Sequence, residues 1–554
     1  KTLLIEHRDV LGGLFTYGWL NYLDMPRGRD GQTLSRGIFS EWHKLVGNRD
    51  GFSIERAKKA FLSMAVNEPN LTLMLNTSLV DVQMNKEGSL IEHVRVKNEQ
   101  GQHVIKAKRY IDATQDADLA AMAGVPYFVG QQDLGFDARW MAVTPIIKVL
   151  NVNWSKIKKA GKKGILGGAD VNDDVAWGFV ELHDYYQPAQ DNIRLRGLNI
   201  VRVKEENTEV FYINALHIFG VDVLNEESKR EALQKGLAEF EHILAYLKEE
   251  LPGFENATIG ERPTEMYVRE SRHILAEYQL QVSDLWRNRD HWDSIGYGGY
   301  PADIQATSMT DLGFVAVNPD RYAIPFRSLV PLKVDNLLVA GRSAGYSSLA
   351  AGSARIVPTG MVTGEAAGAA AALSLDHDVD FRTMSKDHDL IEKLREKLAE
   401  QGAWVDHFEA DYKYKGEFYE DAVLYLMDHT ILPADYNNEL YVDELMHVKI
   451  FANLLLNGYR QSPNPSPPGD PTALNALYGT PNDQMHYSRD SFAQLIVKFF
   501  ADEQVERHEA WDRALQLNLI DEWFYNKVNE DRVMTRGEGY YMIAHLLKHV
   551  VNGI

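Results

Sequence analysis

The densest run of reactive side chains in the sequence is Val268-Arg269-Glu270-Ser271-Arg272-His273. Oxidising a substrate by taking a hydride from carbon needs a base for the departing proton and an anion clamp that fixes the reacting geometry. Glu270 or His273 is the candidate base. Arg269 or Arg272 is the candidate clamp, for a carboxylate or for negative charge on a reduced cofactor. On a regular strand Arg269, Ser271 and His273 would share one face and Glu270 with Arg272 the other, so they cannot all line one site. The competing explanation is an ion pair that joins domains. A second cluster sets Gly296, Gly298 and Gly299 among Tyr297 and Tyr300 and ends at Asp303. Such a loop can bring phenols to a ligand, although turn chemistry explains the glycines equally well. Tyr300 and Asp303 are therefore candidate substrate contacts, and Arg327 is either a further anion contact or a surface residue. The histidines elsewhere, His217 and His291 among them, show no ligand spacing, and no metal site is expected.

These side chains need a frame. Leu337, Leu338, Val339 and Ala340 form an apolar run that ends in Gly341-Arg342-Ser343, which predicts a parallel strand in mid-sheet, covered on both faces. Pro358 then suits a first helical turn, and Gly360, Gly364 and Gly368 recur every four residues, leaving one side of the helix bare. A helix N-terminus carries unpaired N–H groups and partial positive charge, which suits a flavin ring that becomes anionic on reduction. Pro358, Thr359, Gly360 and Met361 are the candidates for that contact; the other explanation is close packing of helix on sheet. At the start of the chain, residues 2–6 are an apolar strand ending in Glu6, with Gly12-Gly13 shortly after. In a dinucleotide fold such an acid binds a ribose hydroxyl, about 20 residues after a glycine-rich phosphate loop. No such loop precedes Glu6 here. The expectation is a chain cut from its first strand, loop and helix, roughly 30 residues.

Composition narrows the function classes. The chain has 554 residues, 45% of them hydrophobic, enough for several domains. Its 58 basic against 79 acidic residues give a net charge of −21, so a nucleic acid is not an expected partner. No run approaches the roughly 18 apolar residues of a membrane helix. There is no cysteine, which excludes dithiol flavoenzyme chemistry and thiolate catalysis or ligation. None of this fixes a compartment, whether cytoplasm or cell surface.

In order along the chain, residues 6–13, 110–118, 268–272, 322–327 and the glycine-rich closing segment resemble the FAD-dependent oxidoreductase family of the glutathione-reductase-like superfamily. The resemblance spans most of residues 1–375 and departs from the family where Gln115 replaces a glycine. It implies FAD as cofactor, held by Glu6, Gly12, Gly13, Asp112, Thr114, Gly341, Arg342, Ser343, Pro358, Thr359, Gly360 and Met361, and a small polar or carboxylated substrate. The implied fold class is α/β. A Rossmann-like FAD-binding domain (residues 1–135 and 310–375) carries an inserted α+β substrate domain, residues 136–309. Within the insertion, alternation around residues 199–203 and 209–213 predicts a sheet with one wet face. Leu233, Leu237, Phe240, Leu244, Leu247 and Leu251 predict a helix with one apolar stripe, stopped by Pro252-Gly253.

Residues 376–415 read as a helical connector and residues 416–554 as an all-helical unit. Helices are expected over residues 418–428, 442–456, 489–500, 510–519 and 536–549. Thr535-Arg536-Gly537-Glu538, with partial copies at Ser488-Arg489-Asp490 and Val442-Asp443-Glu444, resembles the S-layer homology repeat, which implies a cell-wall polysaccharide partner. Thr535 and Glu538 also satisfy an ordinary capping box. Residues 461–483 hold six of the 19 prolines and read as an extended loop. The alternative function on this reading is a non-catalytic wall-binding protein with a decayed flavin domain.

Overall fold

Two parallel strand pairs carry the glycine-ended motifs. Thr2–Ile5 runs beside Leu71–Met74, and Leu337–Val339 beside Tyr110–Asp112. The computed structural model describes residues 1–137, 139–205, 208–410, 412–461, 472–475 and 485–551. Leu337, Leu338 and Val339 are wholly buried, as a strand covered on both faces must be. The strand has one strand neighbour among the described residues instead of the expected two. Asn336 ties it to an antiparallel meander, Ser78–Met84, Ile91–Asn98 and Gly101–Ile105. Its side chain accepts from the Ile91 amide at 3.0 Å and donates to the Ile91 carbonyl at 2.9 Å.

A six-stranded antiparallel sheet follows, in the order Thr258–Ile259, Ile147–Leu150, Thr208–Ile218, Ile193–Glu205, Val175–Gly178, Ala169–Val171. The expectation of a wet face does not hold. One face packs under the helix Glu226–Glu250, and the other is covered by Trp19, Leu20, Tyr22 and Ile54 from the N-terminal segment. That cover is what fixes the loop after Gly13 against the sheet. The helix is turned slightly from its leucine stripe: Ala232 and Gly236 are buried, while Leu233 and Leu237 are half-buried. The reason is close approach, since a Cβ on Gly236 would lie 2.6 Å from Pro145. Asn225 caps the helix by accepting from the amides of Glu227 and Ser228.

The helices Ser348–Ala354 and Val357–Asp376 meet at a 93° bend, with Arg355 at the elbow. Among the described residues no single helix is long and apolar enough to cross a membrane.

Beyond the helix His388–Glu400, the C-terminal helices are Glu420–Asp428, Val448–Gln461, Arg489–Ala501, Ala510–Gln516, Glu522–Lys527 and Arg536–His545. The second begins later than expected, because Leu445 and His447 are taken up in backbone pairing. Leu445 pairs with Thr535, His447 with His486 and Ser488 with Val533, so the segments before three long helices pair with one another in a closed ring. Arg489 lies inside this arrangement, bonded to the Val528 carbonyl and Asp490, and Arg536 pairs with Glu444 at 2.9 Å. Both guanidinium groups thus join segments of the helical unit to each other. The proline-rich stretch lies largely outside the described residues.

At the last helix Thr535 accepts from the Glu538 amide at 3.3 Å, and Glu538 accepts from the Thr535 amide at 2.9 Å. Thr535→Ala is expected to cost about 1 kcal/mol of stability by removing this cap, measurable as a lower urea midpoint with an unchanged slope.

The helical unit shares a core with residues 282–330. Trp286 stacks on Tyr414 with ring centroids 5.2 Å apart, and Asp428 accepts from the Ser283 amide at 2.9 Å and hydroxyl at 2.8 Å. Burial pushes the Asp428 carboxyl up from 3.8 to about 6, against the Ser283 hydrogen bonds and with help from neighbouring Asp284. The folded state therefore holds this proton after the unfolded chain has released it. Its contribution to stability is present below pH about 4 and is lost as pH rises through about 6. Asp428→Asn keeps an acceptor without the charge and should raise Tm at pH 7.5 by about 2 °C. Melting curves of the two proteins should converge near pH 4.

Candidate active site

Some of the proposed cofactor residues are linked by contacts, Gly13 to Ser343 through Gln115, with Arg342 and Gly341 beside them. Gly13 has φ +46°, and a Cβ there would lie 3.3 Å from the Gln115 side-chain amide. The residue that departs from the family pattern thus abuts the glycine turn. The Gln115 carbonyl accepts from Ser343 Oγ at 2.8 Å, and Arg342 reaches Asp116 at 2.7 Å and Ser271 Oγ at 3.2 Å. Next to it, the Gly341 amide donates to Thr363 Oγ1 at 3.0 Å. Glu6 ends its strand with one oxygen on the Arg8 amide at 3.0 Å and near His7. Burial alone would raise this carboxyl, but the His7 hydrogen bond and the amide and charge of Arg8 outweigh it and hold Glu6 below its ordinary value. Asp112 is different: it accepts from the Thr114 amide and hydroxyl and from the Ala120 amide, so Asp112 and Thr114 shape the loop from within.

Whether these residues fit FAD can be judged at the long helix. A Cβ on Gly360 would meet only the Gly341 Cα, at 3.7 Å, and one on Gly364, Gly368 or Gly341 would meet nothing within 4 Å. Packing on the sheet is therefore not what keeps this side bare. The helix has no side-chain cap, Pro358 brings no N–H, and Thr359 Oγ1 is buried with no partner. Open space beside paired glycines, an uncapped N-terminus and an orphaned hydroxyl suit an anionic, flat cofactor. The residues fit.

The run at 268–273 is split by the fold. Regular strand starts only at Arg272, so the alternation expected of the whole run fails. Glu270 and His273 lie together, 3.9 Å apart, almost fully buried; Glu270 accepts from the Met141 amide, and His273 stacks on Phe128. Arg272 binds the Asp116 carbonyl at 2.7 Å and Asp118 at 2.8 Å, on the cofactor side. Arg269 points elsewhere. It donates to the Ala142 carbonyl at 2.6 Å and Thr144 Oγ1 at 3.0 Å, and lies 4.3 Å over the Tyr267 ring.

Around Arg269 the structure gathers Tyr300 and Asp303, which the sequence singled out, with Arg355, Tyr267 and Asp24, which it did not. Arg355 donates to the Tyr267 hydroxyl at 2.6 Å and lies 3.6 Å from Asp303. Tyr300 donates to Asp24 at 3.2 Å. Desolvation lowers the Arg269 guanidinium from its ordinary value, with Tyr267, Asp303 and Asp24 opposing and Arg355 reinforcing. Two guanidiniums, two carboxyls and two phenols thus form one cluster, at the elbow ahead of the glycine helix. Tyr300 and Asp303 belong to it, as does Arg269; Glu270, Arg272 and His273 do not reach it. Asp24 and Tyr267 carry no sequence signal of their own. Arg355 does, as the one charged residue between Arg342 and Glu365.

Among solved structures, the chain is similar to a geranylgeranyl bacteriochlorophyll reductase-like protein from Thermoplasma acidophilum, at 10% identity, covering 93% of each chain with a TM-score of 0.33. It is also similar to p-nitrophenol 4-monooxygenase from Pseudomonas putida DLL-E4, at 9% identity, covering 77% of this chain and 87% of that one with a TM-score of 0.30. No match is found among curated proteins. The family model for FAD dependent oxidoreductases matches residues 1–398, which includes both glycine motifs and the Arg269 pocket. The chain is a member of the FAD-dependent oxidoreductase family, an α/β flavoenzyme with a C-terminal helical region.

Proposed function

We propose that the protein transfers a hydride between a small carboxylated substrate and FAD, in the pocket of Arg269, Arg355, Tyr267, Tyr300, Asp303 and Asp24. On this reading residues 1–135 and 310–375 form the cofactor domain and residues 136–309 the roof that brings Arg269 over it. FAD, when bound, supplies a two-electron acceptor. Glu6, Gly13, Gly341, Arg342, Thr359 and Gly360 would hold it. The observation that carries the proposal is Arg269: it is 5% exposed, yet among the described residues no carboxylate lies within the 4.0 Å of an ion pair. A buried cation without an anion is costly unless a ligand provides one. Thr144 and the Ala142 carbonyl fix the guanidinium plane, so the carboxylate is held in one orientation and the rest of the substrate extends toward Tyr300 and Asp303.

Anaerobic titration of the FAD-loaded protein with paired compounds tests this. A carboxylic acid should bleach the flavin where its methyl ester does not. Equal bleaching by the ester would remove the carboxylate from the reading, and absence of bleaching by any small carboxylate would remove the activity.

A further inference from the structure

The mechanism so far lacks a proton acceptor. The residues expected for it from sequence, Glu270 and His273, are enclosed away from the pocket. Asp24 is in it. Its loop is held by the buried Leu23, whose amide donates to the Asp50 carbonyl at 2.8 Å, and by Asn21, which donates to the Phe52 carbonyl at 3.0 Å. One Asp24 oxygen accepts from Tyr300, and among the described residues no cation lies within 4.0 Å of either oxygen. Asp303, by contrast, is paired with Arg355. Charge then selects the ligand. Arg355 is paired with Asp303, so among the described residues Arg269 is the guanidinium of the cluster with no carboxylate at ion-pair distance, and Asp24, when ionised, brings the four charges to neutrality from farther away. An ammonium near Asp24 would face the field of both guanidiniums, which interact with Asp24 through space. A neutral hydroxyl would not.

We propose that Asp24 is the catalytic base, oriented by Tyr300, and that the substrate is a 2-hydroxy carboxylate whose carboxylate rests on Arg269. In the step, the substrate O–H would give its proton to Asp24 while the C2–H bond breaks with its electron pair leaving as hydride, for which FAD, when bound, would be the two-electron acceptor. The O–H electrons form the C=O bond of a 2-oxo acid. Asp24 is suited to this: burial raises its carboxyl to about 6, with Asp303 adding to the rise and Arg355, the Tyr300 hydrogen bond and Arg269 opposing it. At neutral pH it is ionised and able to accept.

This assignment rests on the flavin reading, and a binding experiment judges it separately. In the full FAD-loaded protein, acetate affinity measured calorimetrically between pH 5.5 and 8, where the ligand stays ionised, should tighten at least threefold as pH falls through about 6, since protonating Asp24 removes a negative charge facing the Arg269 site. Asp24→Asn should abolish that dependence while acetate still binds, and Tyr300→Phe should move its midpoint upward. Retention of the same pH dependence in Asp24→Asn would overturn the placement of Asp24. Glycolate, lactate and mandelate then test the chemistry: at least one should bleach the flavin, and Asp24→Asn should slow this about 10²-fold or more with that acid still bound. An unchanged bleaching rate in Asp24→Asn overturns the role of Asp24. Bleaching by other carboxylates but by none of these three overturns the substrate class alone.

Discussion

Arg269→Met is expected to make the protein more stable and far less active. The guanidinium is buried and hydrogen-bonded to Ala142 and Thr144, so its donors are partly satisfied, but among the described residues its charge has no carboxylate within ion-pair distance. Methionine follows a similar path through the core and deletes the desolvated charge. Replacing a whole buried ion pair by apolar volume is commonly neutral or stabilising by about 1–4 kcal/mol; deleting this one charge should gain less, about 1 kcal/mol, because Thr144 Oγ1 and the Ala142 carbonyl lose a donor and Asp24 and Asp303 lose a nearby cation. Catalysis goes the other way. A charge-assisted contact to a substrate carboxylate is worth about 3 kcal/mol, so kcat/KM should fall about 10²-fold. If the carboxylate is held equally in ground and transition states, the loss falls on KM; if the clamp also aligns the reacting carbon, kcat falls with it. Flavin content should not change, because Arg269 bonds to Ala142 and Thr144 and to none of the residues proposed to hold FAD. A lower melting temperature with unaltered kinetics would show instead that Arg269 is a structural tie, which is the competing explanation for the run at 268–273. Arg269→Lys separates charge from shape. It keeps the cation but loses the planar fork, and should restore binding only in part.

How far the sequence foretold this site depends on which contacts are local. The glycine-ended strand and the helix after it were legible because their requirements are written in consecutive residues: apolar side chains for a doubly covered strand, Pro358 for a first turn, glycines at a four-residue spacing. Thr535 and Glu538 were legible for the same reason. The pocket was not. Arg269 was identifiable, but its neighbours come from residues 24, 267, 300, 303 and 355, and nothing in local spacing brings Asp24 to Tyr300 across 276 positions. The same limit explains the sheet of the insertion. Its alternation implied a wet face, and the face is instead covered by Trp19, Leu20 and Tyr22, whose contact with residues near 200 and 212 is long-range. The run at 268–273 misled for a different reason: alternation assumes a regular strand, and here the strand begins at Arg272, which lets Glu270 and His273 meet.

Gly360→Leu is expected to abolish flavin retention without unfolding the protein. In sequence terms the glycines of this helix had two explanations, a ligand or close packing, and the two make opposite predictions for a large side chain. Were the glycine side packed against the chain, leucine would clash and cost about 1–3 kcal/mol or more through strain. The structure shows room instead, with only the Gly341 Cα within 4 Å of a Cβ at Gly360. Leucine there gains helix propensity, up to about 1 kcal/mol relative to glycine, and its Cβ meets nothing closer than an ordinary van der Waals contact. Stability of the flavin-free protein should therefore hold or rise. The cost falls on the cofactor. A branched side chain beside the Gly341 turn occupies the approach to the uncapped helix N-terminus and to Thr359, so the purified protein should come off the column colourless, with an FAD dissociation constant raised about 10²-fold, some 3 kcal/mol. Gly341→Ala gives the contrasting result. That position has φ +84°, where any side chain is strained whatever the space, so its flavin loss should come with a lower melting temperature. A Gly360→Leu protein that keeps its full yellow absorbance would place the flavin elsewhere and return the bare helix face to some other occupant.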